Sequence, residues 1–350
     1  MFVVRPAEDE DLPALLDAAR HLDSVNLPND EARLSASIAR SRASFAGNIP
    51  PEARELLFVL VAEGPSRQVI GSSMIFAQHG SLRAPHIFFD VIDEERYSET
   101  LNRHFHHKVL RLGSNYKGLT EIGGLVLLPR YRGHPEQLGK TLLLVRFIYI
   151  ALHRNLFCDE MVSELMPPLE PDGTSLLWEA LGRKFTGLSY QEADRLSREN
   201  KEFIRALFPQ DPIYASLLPA EVQALIGQVG PHTKGVEKML VRAGFEYAHR
   251  IDPFDGGPHF QARTSEVLPV KATGVARVVS LLPDGPEGGA PPGDAALITA
   301  LLAVERDHQP FFQATRTRVK RVDRDQVAVP QSAAGALDLK VGDTVAVLPL

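Results

Sequence analysis

The 350-residue sequence predicts an α+β protein built on a mixed, mostly antiparallel sheet flanked by helices. Three observations carry that prediction. Two apolar runs, LLFVLVAE (56–63) and VIGSSMIFAQ (69–78), are separated by GPSRQ, the pattern of a hairpin. A strand-like LTEIGGLVLL (119–128) leads through a polar, glycine-bearing loop into a long apolar helix over 139–155. Beyond residue 269 the chain carries short β-like runs and a proline–glycine loop, which predicts a small β-rich C-terminal segment.

Each element follows from local pattern. FVVRP opens as a strand, and Leu12, Leu15, Leu16 and Ala19 share one face of the next helix, with Asp9 or Asp11 as its cap. Leu34, Ile38 and Phe45 mark a second helix capped by Asn29 or Asp30. HIFFDVID (86–93) is strand-like, and the histidine-bearing stretch that follows, up to Leu112, reads as a lid or a connecting loop. Residues 161–166 form a short strand, and Thr174 or Ser175 caps a helix ending near Leu181 and Gly182. Residues 191–207 read as one helix and 236–243 as another, with Gly244 where a C-terminal cap belongs. The stretch 283–296 is rich in Gly and Pro and reads as an exposed loop. The final LDLKVGDTVAVLPL alternates like a barrel strand after a turn at Gly342 and Asp343.

Composition excludes the extreme classes. With 38 basic and 44 acidic side chains the net charge is −6, the wrong sign for non-specific nucleic-acid binding. The alternating basic run 316–324 reads as a solvated strand face. The single cysteine, Cys158, allows no internal disulfide and no cysteine-rich metal cluster, as expected in a reducing cytoplasm. The N-terminus does not read as an export signal, and the apolar stretch 142–152 is interrupted by Arg146 and too short to cross a bilayer, so no membrane association is expected. The histidines at 104, 106 and 107 lack companion ligands at metal-site spacing, so no metal centre is expected there.

The strongest chemical signal is LPRYRGHPEQLGK (128–140) between strand and helix. A loop entering a helix N-terminus aims unpaired N–H groups and a positive dipole end at an anion. Arg130, Arg132 and Lys140 add cations, and Gly133 and Gly139 permit close backbone approach. It is neither a Walker loop nor GxGxxG.

A strand ending in Leu-Pro, then YRG, then QLGK and an apolar helix resembles the acyl-CoA pyrophosphate loop of GNAT-type acyltransferases. This loop is longer than the usual one and carries His134 and Pro135 where a glycine-rich turn is expected. A more specific resemblance spans residues 27–258. LWEALGRKF, KEFIRALFPQDPIYASLL, IGQVGPHT, LVRAGFEY and IDPFDGGP occur in one order, and together they are similar to the arginine N-succinyltransferase family. That resemblance implies a GNAT-like sheet, succinyl-CoA as acyl donor with no permanently bound cofactor, and the α-amine of L-arginine as acceptor. It also implies blocks at 1–185 (a GNAT-like acyl-CoA-binding half), 186–268 (a second half completing the acceptor site) and 269–350. A homo-oligomer or pairing with a related subunit is expected. Ornithine or another amine as acceptor, and a non-catalytic acyl-CoA-binding subunit, are the competing readings.

Candidate residues follow from the chemistry. Leu127, Leu128, Arg130, Arg132, Gly133, Gln137, Leu138, Gly139 and Lys140 would hold CoA. An α-amine is largely protonated at neutral pH and needs a base. Glu121, in the strand before the loop with two glycines after it, is the candidate; the alternative is a solvated strand glutamate. His232 is a second candidate, although the family pattern puts its histidine two positions earlier, at Gly230. A guanidinium calls for carboxylates, and Glu164, Asp252 and Asp255 are the candidates, the last two serving equally well as an Asx turn. Arg183 and Lys184 would meet the succinyl carboxylate.

Overall fold

The computed structural model describes residues 1–20, 29–62, 64, 67–81, 84–197, 200–284 and 297–350. Parts of the expected turn at 64–68 and most of the expected loop at 283–296 lie outside the described residues. The strands, in chain order, are β1 (Phe2–Pro6), β2 (Glu55–Ala62), β3 (Gln68–Phe76), β4 (His86–Ser98), β5 (Arg103–Asn115), β6 (Thr120–Leu127) and β7 (Glu160–Glu164). They continue as β8 (Ile213–Tyr214), β9 (Glu246–Ile251), β10 (Pro258–Arg263), β11 (Gly274–Leu282), β12 (Leu297–Glu305), β13 (Phe312–Asp323), β14 (Gln326–Pro330) and β15 (Thr344–Pro349). The expected mixed, mostly antiparallel α+β architecture is present.

The chain divides into two compact units. One comprises Met1–Ala77, Ile122–Phe157 and Ser265–Leu350; the other comprises Gln78–Glu121 and Cys158–Thr264. These units interleave along the chain, unlike the contiguous blocks 1–185, 186–268 and 269–350 expected from the sequence. In the first unit the reason is strand pairing between the two ends of the chain: Val3 of β1 lies opposite Thr315 of β13.

In the first unit the strands run β12-β15-β11-β14-β13-β1-β2-β3-β6, and an additional β12–β13 pairing closes the first five into a ring. The β-rich tail is therefore a small barrel, filled by Val278, Leu302, Val319 and Val347 and plugged by Ala333 and Leu337 of the helix Gln331–Ala336 and its end. A second core packs Leu15, Leu34 and Ile38, from helices Leu12–Arg20 and Glu31–Phe45, on Leu57 and Val59 of β2. Asp30 caps the latter helix by accepting from the Arg33 N–H. The helix Leu138–Leu152 is buried around almost its whole circumference, as its apolar sequence requires. Arg146 is buried with it and donates to the carbonyls of Gly123 and Leu143. Burial without a carboxylate partner lowers its pKa to about 9. No helix among the described residues is long and apolar enough to cross a membrane.

In the second unit β7, β10, β9, β4, β5 and β8 follow one another antiparallel, and the start of β6 lies parallel to β7. Its core centres on Trp178, stacked on Phe254 at 5.0 Å and donating Nε1–H to the Leu188 carbonyl. Ser175, rather than Thr174, accepts the N–H of Trp178 at the head of this helical segment.

Two expectations are corrected here. The histidine-bearing stretch is strand β5, not a lid or loop: it pairs with β4 over thirteen residues, placing Glu94 opposite His107 and Glu95 opposite His106. Cross-strand charge complementarity of this kind stabilises an exposed hairpin that apolar alternation does not reveal. The single helix expected over 191–207 is two, Tyr190–Ser197 and Glu202–Leu207, because the Asn200 side chain accepts the Glu202 N–H and starts the chain afresh.

Candidate functional site

The second unit gathers acids and imidazoles around the end of β7. Glu164 is the last residue of that strand, and His259 of β10 lies directly opposite it in the ladder. On the other side of β7, Glu121 of β6 aligns with Val162. His86 is the first residue of β4. His79 lies in the connection after β3, held by its N–H donating to the Leu119 carbonyl at 2.7 Å. That approach needs glycine at 118, where a Cβ would fall 1.2 Å from the His79 carbonyl oxygen.

The distances are short. His79 Nδ1 lies 2.6 Å from Glu121 Oε2, and the Glu121 side chain is only 6% exposed. Glu164 Oε1 is 2.9 Å from His86 Nε2, 3.6 Å from His259 Nε2 and 4.0 Å from His79 Nε2. The His86 contact has the length of a hydrogen bond but not its direction, since His86 Nε2 has no hydrogen-bond partner.

Electrostatics separate these groups. Burial opposes a charged His79, but the charge and hydrogen bond of Glu121, with Glu164 adding to them, lift its pKa above the usual value. For His86 burial wins over Glu164 and lowers the pKa. Burial likewise pushes His259 down to about 4. Burial works against the Glu164 carboxylate, yet the surrounding imidazoles hold it well below the usual range. Asp252 is raised to about 7, first by burial and then by the charge of Glu164. Asp255 is raised well above its usual value by burial and by Asp252. Near neutral pH the cluster therefore has the ionised Glu164 beside neutral His86 and His259, with His79 the imidazole most able to hold a proton.

Asp252 and Asp255 also build the turn before β10. Asp252 Oδ1 accepts from the N–H groups of Phe254 and Asp255, and Asp255 Oδ1 accepts from Gly257. The Asx-turn reading and the acidic-site reading thus both describe Asp252, which falls with Glu164 and His259 in a group whose ligand atoms lie within 4.8 Å of one another.

The loop in the first unit has its own geometry. A short helical turn, Pro129–Tyr131, follows β6, and the loop bends at Gly133, with φ of +72°. It enters the helix Leu138–Leu152 through Gln137, whose backbone is left-handed and whose side chain does not cap. Leu138 and Gly139 stand in the first turn of that helix, where backbone N–H groups have no intrahelical carbonyl to meet. Arg132 Nε donates to the Leu127 carbonyl, Leu128 is buried, and Arg130 is exposed over the ring of Tyr131. Arg316 of β13 braces the loop, donating to the Glu136 carbonyl at 2.8 Å and Gln137 Oε1 at 3.2 Å. Arg316 stood in the sequence only as part of a solvated basic run.

Other candidates stand apart from the cluster. His232 is exposed in the turn before the helix Lys234–Ala243. Arg183 pairs with Glu179 one helical turn earlier, and Lys184 is exposed beside it. At Gly230 the N–H donates to the Met166 carbonyl and a Cβ would lie 2.5 Å from the Pro167 carbonyl oxygen. Sequence reasoning missed His79, His86 and His259, which no local spacing connects.

Comparison with known proteins agrees with the order of motifs. The family described as "Arginine N-succinyltransferase beta subunit" matches residues 2–269. Arginine N-succinyltransferase of Yersinia pseudotuberculosis is 32% identical over 353 aligned positions, covering 100% of this chain and 98% of that protein. Arginine N-succinyltransferase subunit beta of Pseudomonas aeruginosa is 34% identical over 269 positions, 76% of this chain and 78% of its own length. The solved structure of arginine/ornithine succinyltransferase subunit AI from Pseudomonas aeruginosa superimposes with a TM-score of 0.82 at 28% identity, covering 100% of this chain and 98% of that one. With the five sequence blocks in order and relatives matched from end to end, this chain belongs to the arginine N-succinyltransferase family.

Proposed function

We propose that the chain is a cytoplasmic acyltransferase that moves the succinyl group of succinyl-CoA onto the α-amine of L-arginine. Family membership supports the reaction class, and the acid–imidazole cluster is the observation that carries the acceptor chemistry. Before it reacts the acceptor carries two cationic groups, an α-ammonium and a guanidinium, beside its carboxylate, and Glu164 and Asp252 suit the guanidinium, which forms paired hydrogen bonds with a carboxylate. His79, positioned by Glu121, takes a proton from the α-ammonium. The freed amine attacks the thioester carbonyl and the C–N bond forms; the tetrahedral intermediate then collapses with loss of the C–S bond, and the second proton given up by the nitrogen ends on the departing CoA thiolate. No acyl-enzyme is needed, and Cys158, which is only partly exposed, has no role in this scheme.

In the donor half, the first-turn N–H groups of Leu138 and Gly139 would bind the CoA pyrophosphate, with Arg130, Arg132 and Lys140 adding charge. Gly133 and Gln137 shape the entry. Leu127 and Leu128 end the strand against which the pantetheine would lie. His232, Arg183 and Lys184 have no part in this proposal, since each is exposed and Arg183 already has a partner. The names of the Pseudomonas proteins, a subunit beta and a subunit AI, support association with a related subunit or with a second copy of the chain.

Incubating purified protein with succinyl-CoA and L-arginine should release one thiol per succinylarginine formed. Thiol release that is indifferent to arginine would overturn the proposal. The arginine/ornithine name of the superimposing structure favours one alternative acceptor, so ornithine is tested alongside. A higher kcat/KM for ornithine would reassign the acceptor without changing the reaction.

A further inference from the structure

The cluster around Glu164 contains more buried nitrogen lone pairs than proton transfer to one base can use. His86 is 1% exposed, yet neither of its ring nitrogens has a hydrogen-bond partner, and His79 Nε2 also has none. A buried polar atom left without a partner costs free energy that a coordinated cation would recover. One ligand atom from each of His79, His86 and Glu164 falls within 4.8 Å of the others, a spacing a single ion can draw together. The set is built as metal sites are built. His79 Nδ1 faces Glu121 at 2.6 Å, so the carboxylate fixes the ring and leaves Nε2 free to bind, the usual carboxylate–histidine–metal relay.

We propose that the chain binds one divalent transition ion of the Zn²⁺ class through His79 Nε2, His86 Nε2 and Glu164 Oε1, with Glu121 orienting His79. Two imidazoles and one carboxylate favour Zn²⁺ or Co²⁺ over Mg²⁺ and Ca²⁺, which prefer all-oxygen sites. Three protein ligands leave a coordination position open. The site shares residues with the acceptor cluster but does not rest on the acyl-transfer reading. Because the ion takes up the lone pair of His79 and the charge of Glu164, ion binding and amine binding exclude each other, and added Zn²⁺ should inhibit transfer in competition with the acceptor.

The test uses full-length protein treated with a chelator and then titrated with Co²⁺ and, separately, Zn²⁺. Visible absorption of four- or five-coordinate Co²⁺ should saturate at one ion per chain. His86→Ala and the near-isosteric Glu164→Gln should each weaken binding at least tenfold, and Glu121→Gln, which touches only the orienting group, by roughly 10–100-fold. His104→Ala, on the exposed β5 histidine run, should change nothing. Absorption that stays that of aqueous Co²⁺, or a site that survives both His86→Ala and Glu164→Gln, would overturn the assignment. Circular dichroism of Glu164→Gln separates loss of binding from loss of fold. The titration contains no succinyl-CoA, so failure of this site and failure of the acyl-transfer reading are read independently.

Discussion

Glu121→Gln tests the proposed catalytic pair most directly, because it keeps the size of the side chain and removes its charge. The Glu121 side chain is 6% exposed and sits 2.6 Å from His79 Nδ1, so the contact is a desolvated, charge-assisted hydrogen bond. Such a bond contributes about 1.5–3 kcal/mol. Taking about 2 kcal/mol of it as lost in the transition state, where the imidazole must carry the proton, gives a fall in kcat/KM of roughly 30-fold. The pH profile should move in a defined direction. Glu121 is the largest influence raising the pKa of His79, and without it burial dominates, so the acid limb of kcat/KM moves to lower pH. Thiol release is followed from pH 5 to 9 on chelator-treated protein, with His79→Gln in parallel and expected to lose about 10²–10⁴-fold. An acid limb that stays in place or moves upward in Glu121→Gln would refute the pairing, as would activity within twofold of the parent.

Three further outcomes follow from particular contacts. Gly230→Ala puts a methyl group 2.5 Å from the Pro167 carbonyl oxygen and should cost about 1–3 kcal/mol, seen as a lower urea midpoint; an unchanged midpoint would show that the backbone yields freely there. Arg316→Ala removes the exposed brace on the 136–137 backbone and side chain, and should raise the KM for succinyl-CoA about fivefold, for roughly 1 kcal/mol, while leaving the arginine KM alone; equal changes in both would contradict a loop-specific role. His259 is held neutral with a pKa of about 4 against 6.5 when unfolded, so its contribution to stability is complete above pH 6.5 and is lost as the pH falls through 4. Relative to His259→Asn, the parent should lose roughly 3 kcal/mol over that window. Asp252 works in the opposite sense, its raised pKa costing stability as pH rises toward 7, so the comparison is made against the variant; parallel pH–stability curves would refute the buried neutral state of His259.

Local structure was legible wherever a short-range rule decides it. The Asp30 cap, the apolar helix from 138, the Gly244 terminus and the β2–β3 hairpin each follow from a few adjacent side chains. The β4–β5 hairpin was half legible, since its outer end is held by Glu–His complementarity between strands rather than by apolar alternation. The carboxylates of the cluster could be proposed because the acceptor chemistry demands them. Its imidazoles could not, because His79, His86 and His259 are brought together by pairing of β7 with β10 and by a glycine that admits the His79 backbone, and neither leaves a mark at fixed spacing. His86 and His259 do share a trait that a reader could seek: each stands at or next to the start of an apolar strand, where a solvated polar residue would not be buried.

The pairing of Val3 with Thr315 sets a constraint on the life of the chain before it is an enzyme. β1 cannot fill its second edge until β13, about three hundred residues later in the chain, has been made. During synthesis that edge, or the β2 edge if β1 pairs late, is an open template for a neighbouring nascent chain. The family match ends at residue 269, before the barrel strands begin. A product stopped there would keep the acid–imidazole cluster in sequence but leave β1 permanently unclosed, so premature termination should yield aggregates rather than a smaller working enzyme. The β1–β13 pairing thus comes at the expense of folding speed, since contacts more than three hundred residues apart must form.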